Sequence, residues 1–220
     1  MEKAVARINP IGENAILVRF ADQLSLEANT KAHAFKDAVQ EELGSRLFDV
    51  TSNLVSTLVR YNPSRISYDE LRQELSLIIS KDNFSEVQRD HTEHTVSVQY
   101  GGENALGLRD ASKQLGISET EFVERHTASM LRALSLGFSP GFVYLGLHGE
   151  DMLVPRRKTV QEGIEAGAVL FAAGQSAITS RPIRTGWHVI GYTDFRNFDA
   201  LASPPVSIQP GDNVRFEARM

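Results

Sequence analysis

The ten residues Gly137-Phe138-Ser139-Pro140-Gly141-Phe142-Val143-Tyr144-Leu145-Gly146 constrain this chain more than any other stretch. Three glycines, a proline and three aromatics stand together here, a mixture that neither a helix interior nor a central strand accepts. Glycine opens φ > 0 and close backbone approach, proline fixes φ, and the aromatics supply rigid apolar area. The composition predicts a shaped loop on a β scaffold, serving either as a tight barrel corner or as the wall of a ligand or partner site.

The remaining pattern divides into two parts. Val5–Ile8 reads as a strand, Asn9–Gly12 as a turn, and Ala15–Phe20 as a second strand. Ala28, Ala32, Phe35, Val39 and Leu43 recur at helical spacing, with Ser25 as N-cap and Gly44 just past the end. Two extended segments, Phe48–Ser52 and Leu54–Tyr61, precede the capping box Ser67-x-x-Glu70 and a second amphipathic helix to about Lys81. The expected order is ββαββα, an α+β domain over residues 1–85 with both helices on one face. Residues 86–94 are polar, lack either period and read as a linker, in which His91 and His94 are solvated side chains rather than metal ligands.

Residues 95–220 read as a mainly β domain. A strand through Val96, Val98 and Tyr100 leads by Gly101-Gly102 into a helix over 105–115 ended by Gly116, and Ser118-x-x-Glu121 caps a short helix carrying Phe122, Val123 and His126. Met130–Leu136 is extended, and no helix is expected beyond it. Apolar segments at 143–147, 169–173, 177–179, 187–192, 206–208 and 214–216 alternate with Gly and Pro, the rhythm of a barrel or sandwich.

Several functions are excluded. Cysteine is absent, which removes thiol catalysis and disulfides, and a formal charge of −5 argues against nucleic-acid or anionic-membrane partners. The start of the chain lacks a signal-peptide pattern and no run is long enough to span a bilayer, so a cytoplasmic location is expected. Gly137-x-Ser139-x-Gly141 fits the expression for a hydrolase nucleophile elbow. Pro140, however, lacks the N–H that the oxyanion hole requires, and no helix follows. No Walker A sequence or strand-linked G-x-G-x-x-G is present; Gly174-Gln175-Ser176 and Arg156-Arg157 remain the local candidates for anionic oxygens, the arginines having a solvated loop as their alternative.

In chain order, Pro140-Gly141-Phe142-x-Tyr144-Leu145, Pro155-Arg156-Arg157, Ala172-x-Gly174-Gln175-x-x-Ile178, Gly186-Trp187-x-x-Ile190-Gly191-x-Thr193, Phe198-Asp199 and Pro210-Gly211-Asp212-x-Val214-x-Phe216 resemble the carboxyltransferase-type family often labelled allophanate hydrolase subunit 1. That family includes the B-type subunit of bacterial 5-oxoprolinase and a sporulation-kinase inhibitor, and is similar to part of the urea carboxylase carboxyltransferase domain. The resemblance spans essentially the whole chain. It implies a cyclophilin-like β-barrel after the α+β domain, and a subunit that acts with a homologous C-type subunit and a third lactamase subunit to open 5-oxoproline to glutamate at the expense of ATP. ATP with Mg is expected in the assembled complex, no cofactor tightly bound to the chain alone, no metal site, and no activity from the isolated chain. Ser139, Val143, Val160, Gly163, Glu165, Ala173, Thr179, Thr185 and His188 depart from residues common in such members.

On this reading His126, Gln175 and His188 are the catalytic candidates. Gln175 and Arg156 orient amide or anionic oxygens, Trp187 and Tyr144 wall the site, and His126 or His188 handles a proton. Pro140, Gly141, Phe142, Arg157, Gly174, Ser176 and Gly186 complete the expected substrate- or nucleotide-binding set. The structural alternative makes Trp187 a core plug and Gln175 a buried hydrogen-bond bracket. Two other functions fit the resemblance: half of a biotin-dependent urea/allophanate-type carboxyltransferase, and a regulatory module that inhibits a histidine kinase.

Overall fold

The computed structural model describes residues 6–81 and 91–219, and the chain divides into two compact units, Met1–Asp90 and His91–Met220. Most of the linker expected at 86–94 lies outside the described residues, but its last two positions, Glu93 and His94, already belong to a strand.

The first unit runs β1 (Arg7–Ile11), β2 (Ala15–Arg19), α1 (Leu26–Leu43), β3 (Leu47–Ser52), β4 (Ser56–Tyr61) and α2 (Tyr68–Ser80), with sheet order β1-β2-β4-β3. Asn9, Pro10 and Ile11, expected to turn, instead extend β1, and the turn falls at 12–14. Pro10 is tolerated because β1 is an edge strand, where a missing N–H need not serve a further neighbour. Ser25 and Ser67 cap α1 and α2 by accepting from the N–H groups of Ala28 and Glu70. Gly44 departs from expectation: its φ is −51°, and it continues into a 3₁₀ turn rather than ending α1 in the left-handed region. One face of the sheet, through Ile16, Val18, Val50 and Val59, meets Ala32, Phe35 and Val39 of α1 and Leu71, Leu75 and Ile78 of α2 in a single buried cluster. Thr57 lies within it, its hydroxyl donating to the Ala32 carbonyl at 2.7 Å.

The second unit contains β5 (Glu93–Tyr100), α3 (Gly107–Leu115), α4 (Glu119–Ala128), β6 (Met130–Leu136), β7 (Val143–Gly146), β8 (Gln161–Ile164), β9 (Ala168–Ala172), β10 (Gln175–Ile178), β11 (Ile183–Thr185), β12 (His188–Tyr192) and β13 (Asn213–Ala218). Seven of these close into a barrel in the order β10-β7-β6-β13-β5-β12-β9. Strands β8 and β11 form a separate two-stranded ribbon that the sequence pattern does not announce. The strand expected at 206–208 shrinks to one bridge between Phe198 and Val206, because Pro204, Pro205 and Pro210 confine the segment.

Strand β13 pairs parallel with β5, and Asp212 fixes this junction: its carboxylate accepts from the N–H groups of Thr92 (3.1 Å) and Gln209 (2.8 Å) and lies 3.0 Å from Nε2 of His94. His94, expected to be solvated, is therefore held in the barrel seam.

Side-chain alternation sorts the barrel wall into two faces. Val143, Leu145, Val169, Phe171, Ile178, Ile190, Leu131, Val96 and Phe216 come from all seven strands and fill the interior together with Leu108 and Ala111 of α3 and Phe122 of α4. Ala168, Leu170, Ala172, Ala177 and Val189 face outward, where Phe142, Trp187 and Ile164 cover them. Helix α3 reaches the wall through Gly107, where a Cβ would stand 2.5 Å from the nitrogen of Val189 and 2.6 Å from its oxygen.

Candidate functional site

Residues 137–142 are the loop between β6 and β7, since Leu136 pairs with Val143. Gly141 has φ +75°, and a Cβ there would stand 2.5 Å from Cβ of Phe198, so both its conformation and its packing require glycine. Asn197 brackets the loop by donating to the Gly141 carbonyl at 3.2 Å while accepting from the Ile208 N–H at 2.7 Å. Ser180 adds a hydroxyl donor to the Pro140 carbonyl. Pro140 and Gly141 thus shape the loop from behind. Ser139 sits in its turn, its carbonyl accepting from the Phe142 N–H, and the chain runs on into a strand rather than a helix.

The loop presents aromatic rings in series: Phe138 and Phe142 lie 5.3 Å apart, Phe142 and Tyr144 4.8 Å, and Tyr144 and Trp187 6.1 Å. Between this series and the β8–β11 ribbon is a cleft of about 230 Å³, lined by these rings with Arg156, Gly186 and the β11 residues Ile183, Arg184 and Thr185. Arg156 places its guanidinium 5.5 Å from the centre of the Trp187 ring. Its backbone is fixed on both sides, because Nε2 of His188 donates to the Pro155 carbonyl at 3.0 Å and the Arg157 N–H donates to the Gly186 carbonyl at 2.7 Å. Burial raises the pKa of the Tyr144 phenol, an effect opposed by the neighbouring Arg156 charge. Arg184 meets Glu162 only at 3.9 Å with both side chains about three-quarters exposed, a pair worth at most about 1 kcal/mol. Cations and flat rings line the cleft, and no carboxylate lines it among the described residues.

A second concavity of about 280 Å³ lies along Gly101, Gly102, Leu106, Arg109 and Glu119. Arg109 and Glu119 pair with each other across 3.4 Å, and among the described residues no aromatic ring lines it, so it lacks a comparable recognition surface.

The pleat separates neighbours that the sequence reading joined. Gln175 opposes Gly146 and Ala172 and therefore faces outward, whereas Ser176 opposes Leu145 and Phe171 and faces the interior. Trp187 belongs to the outer cluster, whereas His188 opposes the inward Phe171. Ser176 and His126 are fully buried, which removes both from any ligand reaching the outer cleft.

Instead they belong to a directed chain of hydrogen bonds inside the barrel. The Ser129 hydroxyl donates to the Arg125 carbonyl at 3.1 Å, so Nδ1–H of His148 must donate to Ser129 across 3.1 Å. Nε2 of His148 then accepts from the Ser176 hydroxyl (2.9 Å), whose oxygen accepts from Nε2–H of His126 (2.8 Å), whose Nδ1 accepts from the Tyr100 hydroxyl (2.7 Å). The rings of Phe171 and Phe216 lie 6.0 and 4.8 Å from that of His126. Burial pushes the His126 pKa well below its ordinary value, with His148 adding to the effect, and burial pushes His148 down to about 4 against the opposing pull of Asp151. Ser176 between two imidazoles resembles a nucleophile with its base, but complete burial makes it a structural bracket.

The structure therefore gathers Phe142, Tyr144, Arg156, Gly186 and Trp187 at one cleft and leaves out His126, His188, Gln175, Gly174, Ser176, Arg157, Pro140 and Gly141. His188 is buried, and burial lowers its pKa; its Nε2 is committed to Pro155, which makes it a positioning residue rather than a proton shuttle. Arg157 pairs with Asp110 at 2.5 Å, so the solvated-loop alternative fails for it. Gly174 makes the β9–β10 hairpin turn with φ +70°, and its carbonyl accepts from the His148 N–H at 2.8 Å. Oε1 of Gln175 is buried and makes no hydrogen bond among the described residues. Phe138, Ile183, Arg184 and Thr185, absent from the sequence-based set, join the cleft; the Ile183-x-Thr185 alternation was the available signal. His148 carried none, because it follows β7 where the alternating pattern has ended.

Residues 6–208 match the family model for the carboxyltransferase domain, subdomain C and D. The chain belongs to this family. Among carboxyltransferase-domain relatives, the B-type subunit of 5-oxoprolinase from Haemophilus influenzae is 28% identical over 209 residues, covering 95% of this chain and 96% of that protein. The crystal structure of TTHA0988 superposes with a TM-score of 0.79 at 26% identity over 94% of this chain, which spans only 40% of TTHA0988. The Kluyveromyces lactis urea amidolyase shares the fold, with a TM-score of 0.78 at 13% identity over 100% of this chain and 15% of its own length. None of the described helices is long and apolar enough to cross a membrane.

Proposed function

We propose that this chain is the B-type subunit of a heteromeric, ATP-dependent 5-oxoprolinase in the cytoplasm, with a barrel of the cyclophilin-like kind and with its outer cleft receiving the small lactam carboxylate. The cleft carries this reading. At about 230 Å³ it falls below the roughly 300–1,000 Å³ of pockets that enclose drug-sized ligands, so it suits a single substituted ring. Arg156 supplies a fixed fork for the carboxylate, and Tyr144 and Trp187 supply flat apolar faces. Likeness to a B-type 5-oxoprolinase subunit over nearly the full length of both proteins supports the choice of reaction.

The same cleft does not fit a nucleoside triphosphate: it is too small, and the glycines at 137 and 141 are not arranged with a helix N-terminus as a phosphate cradle. ATP and Mg are therefore assigned to other parts of the complex. None of Tyr144, Arg156, Arg184 and Trp187 is a nucleophile or free base near neutral pH, so this chain binds and orients, and partners supply the proton and phosphoryl transfers. The homologous C-type subunit and a third lactamase subunit fill those roles. Measuring ATP-dependent glutamate release from 5-oxoproline tests the assignment. The chain alone should give none and the three-subunit mixture should restore it. Turnover by the isolated chain, or an inert mixture in which the Haemophilus influenzae relative restores activity but this chain does not, contradicts it.

A further inference from the structure

We propose that the outer cleft is a two-anion site whose preferred ligand is a short dicarboxylate, with Arg156 and Arg184 each taking one carboxylate. The two guanidinium groups come from different elements. Arg156 stands on the Pro155–Arg157 segment that His188 and Gly186 hold in place, whereas Arg184 stands on β11 of the ribbon. Both line the same cavity of about 230 Å³, and among the described residues no carboxylate lines it. Arg156 lies over Trp187 with its guanidinium carbon 5.5 Å from the ring centre, a cation–π contact that leaves its N–H donors to fork onto a carboxylate. Glu162 approaches Arg184 only at 3.9 Å in an exposed pair, and a ligand carboxylate displaces it readily.

A monoanion in this cleft compensates one guanidinium and leaves the other facing an apolar ligand surface. A dianion compensates both, and the rings of Phe142, Tyr144 and Trp187 accept the methylene spacer between its ends. The cavity size limits that spacer to a few carbons. This inference rests on the reading of the cleft as the ligand site and extends it. Hydrolytic opening of a lactam that carries one carboxylate consumes a water and turns the ring amide into a second carboxylate and an ammonium, so the net charge is unchanged while the carboxylates become two. The cleft, with a guanidinium for each carboxylate, tells the ring-opened state from the closed ring by that second carboxylate. Arg184 is the residue that makes this distinction.

The chain has one tryptophan, Trp187, so fluorescence excited beyond the absorption band of its tyrosines reports on this cleft. Glutarate and its monoamide glutaramate have the same shape and differ by one charge. Titrated into the isolated full chain at neutral pH and low salt, glutarate should produce a saturable change with affinity at least about tenfold higher than glutaramate. Arg184→Gln should reduce glutarate to the glutaramate level while hardly changing glutaramate, and Arg156→Gln should weaken both. Arg184 is exposed, and an unchanged melting temperature confirms an intact fold. Equal affinities in the wild type, a preference that survives Arg184→Gln, or no saturable change by fluorescence and calorimetry overturns the proposal. Neither partner subunits nor ATP enter this experiment. A chain that sustains lactam turnover in the complex yet binds both probes alike keeps its function and loses the two-anion site; the opposite outcome removes the function and leaves the site.

Discussion

Ser176 and Gln175 are adjacent in sequence and lie on opposite faces of one strand, and their environments differ accordingly. Ser176 is satisfied on both sides by neutral imidazoles, so Ser176→Ala should leave a buried donor on His126 and a buried acceptor on His148, a loss of about 1–3 kcal/mol for each unsatisfied group. Chemical denaturation at neutral pH measures this directly. The histidines also set an acid dependence. The folded pKa of His148 is depressed to about 4 and that of His126 lies well below the ordinary value, so the unfolded chain binds more protons below about pH 6.5. Stability from this pair is fully present above that value and should fall as the pH drops toward 4. For His148 alone the loss is about 3 kcal/mol. Denaturation at pH 7.5, 5.5 and 4.5 should show it, and a flat profile would place a charged or solvent-linked histidine in the barrel. At this scale the sequence made the residue types legible and misassigned their company. Period-two alternation separates Gln175 from Ser176 and Trp187 from His188, but short strands bounded by glycine conceal where the alternation starts.

Among the elements, the β9–β10 hairpin turns on Ala173 and Gly174, both with positive φ (51° and 70°), the conformation of a two-residue type I′ turn. Glycine meets this demand freely and alanine does not. Ala173→Gly should therefore raise stability by about 0.5–1 kcal/mol, and Ala173→Val should lower it. Thermal melts of the two variants test the turn, and the reverse order would refute its geometry. At Gly107 the sign is opposite: a methyl group would meet the Val189 backbone, which cannot yield as a flexible side chain could, so Gly107→Ala should cost about 1–3 kcal/mol despite its better helix propensity. Helices α1, α2 and α4 were legible because Ser25, Ser67 and Ser118 declare their starts through local hydrogen bonds. The β8–β11 ribbon was not, because Gln161-Glu162-Gly163 offers neither an apolar run nor a turn signal. With the ribbon went Arg184 and one wall of the cleft.

For the whole molecule, the barrel supplies a rigid wall, the ribbon and the 137–142 loop shape an outer cleft on it, and the buried relay holds the interior behind. The second unit has its own closed sheet and core, so residues 91–220 expressed alone should fold cooperatively; a broad, non-cooperative melt would show that its core needs the rest of the chain. On the proposed reading, the residues that meet the ligand are distinct from those that maintain the fold. Comparing Arg156→Gln with Ser176→Ala in the assembled complex tests that separation most directly. Arg156→Gln should lower kcat/KM for 5-oxoproline at least about tenfold while moving the melting temperature by no more than about 2 °C, as expected for an exposed site. Ser176→Ala should lower the melting temperature and leave kcat/KM of the folded fraction within about threefold of wild type. Turnover unaffected by Arg156→Gln, together with its loss in a fully folded Ser176→Ala complex, would contradict the account and move the chemistry from the cleft to the barrel interior.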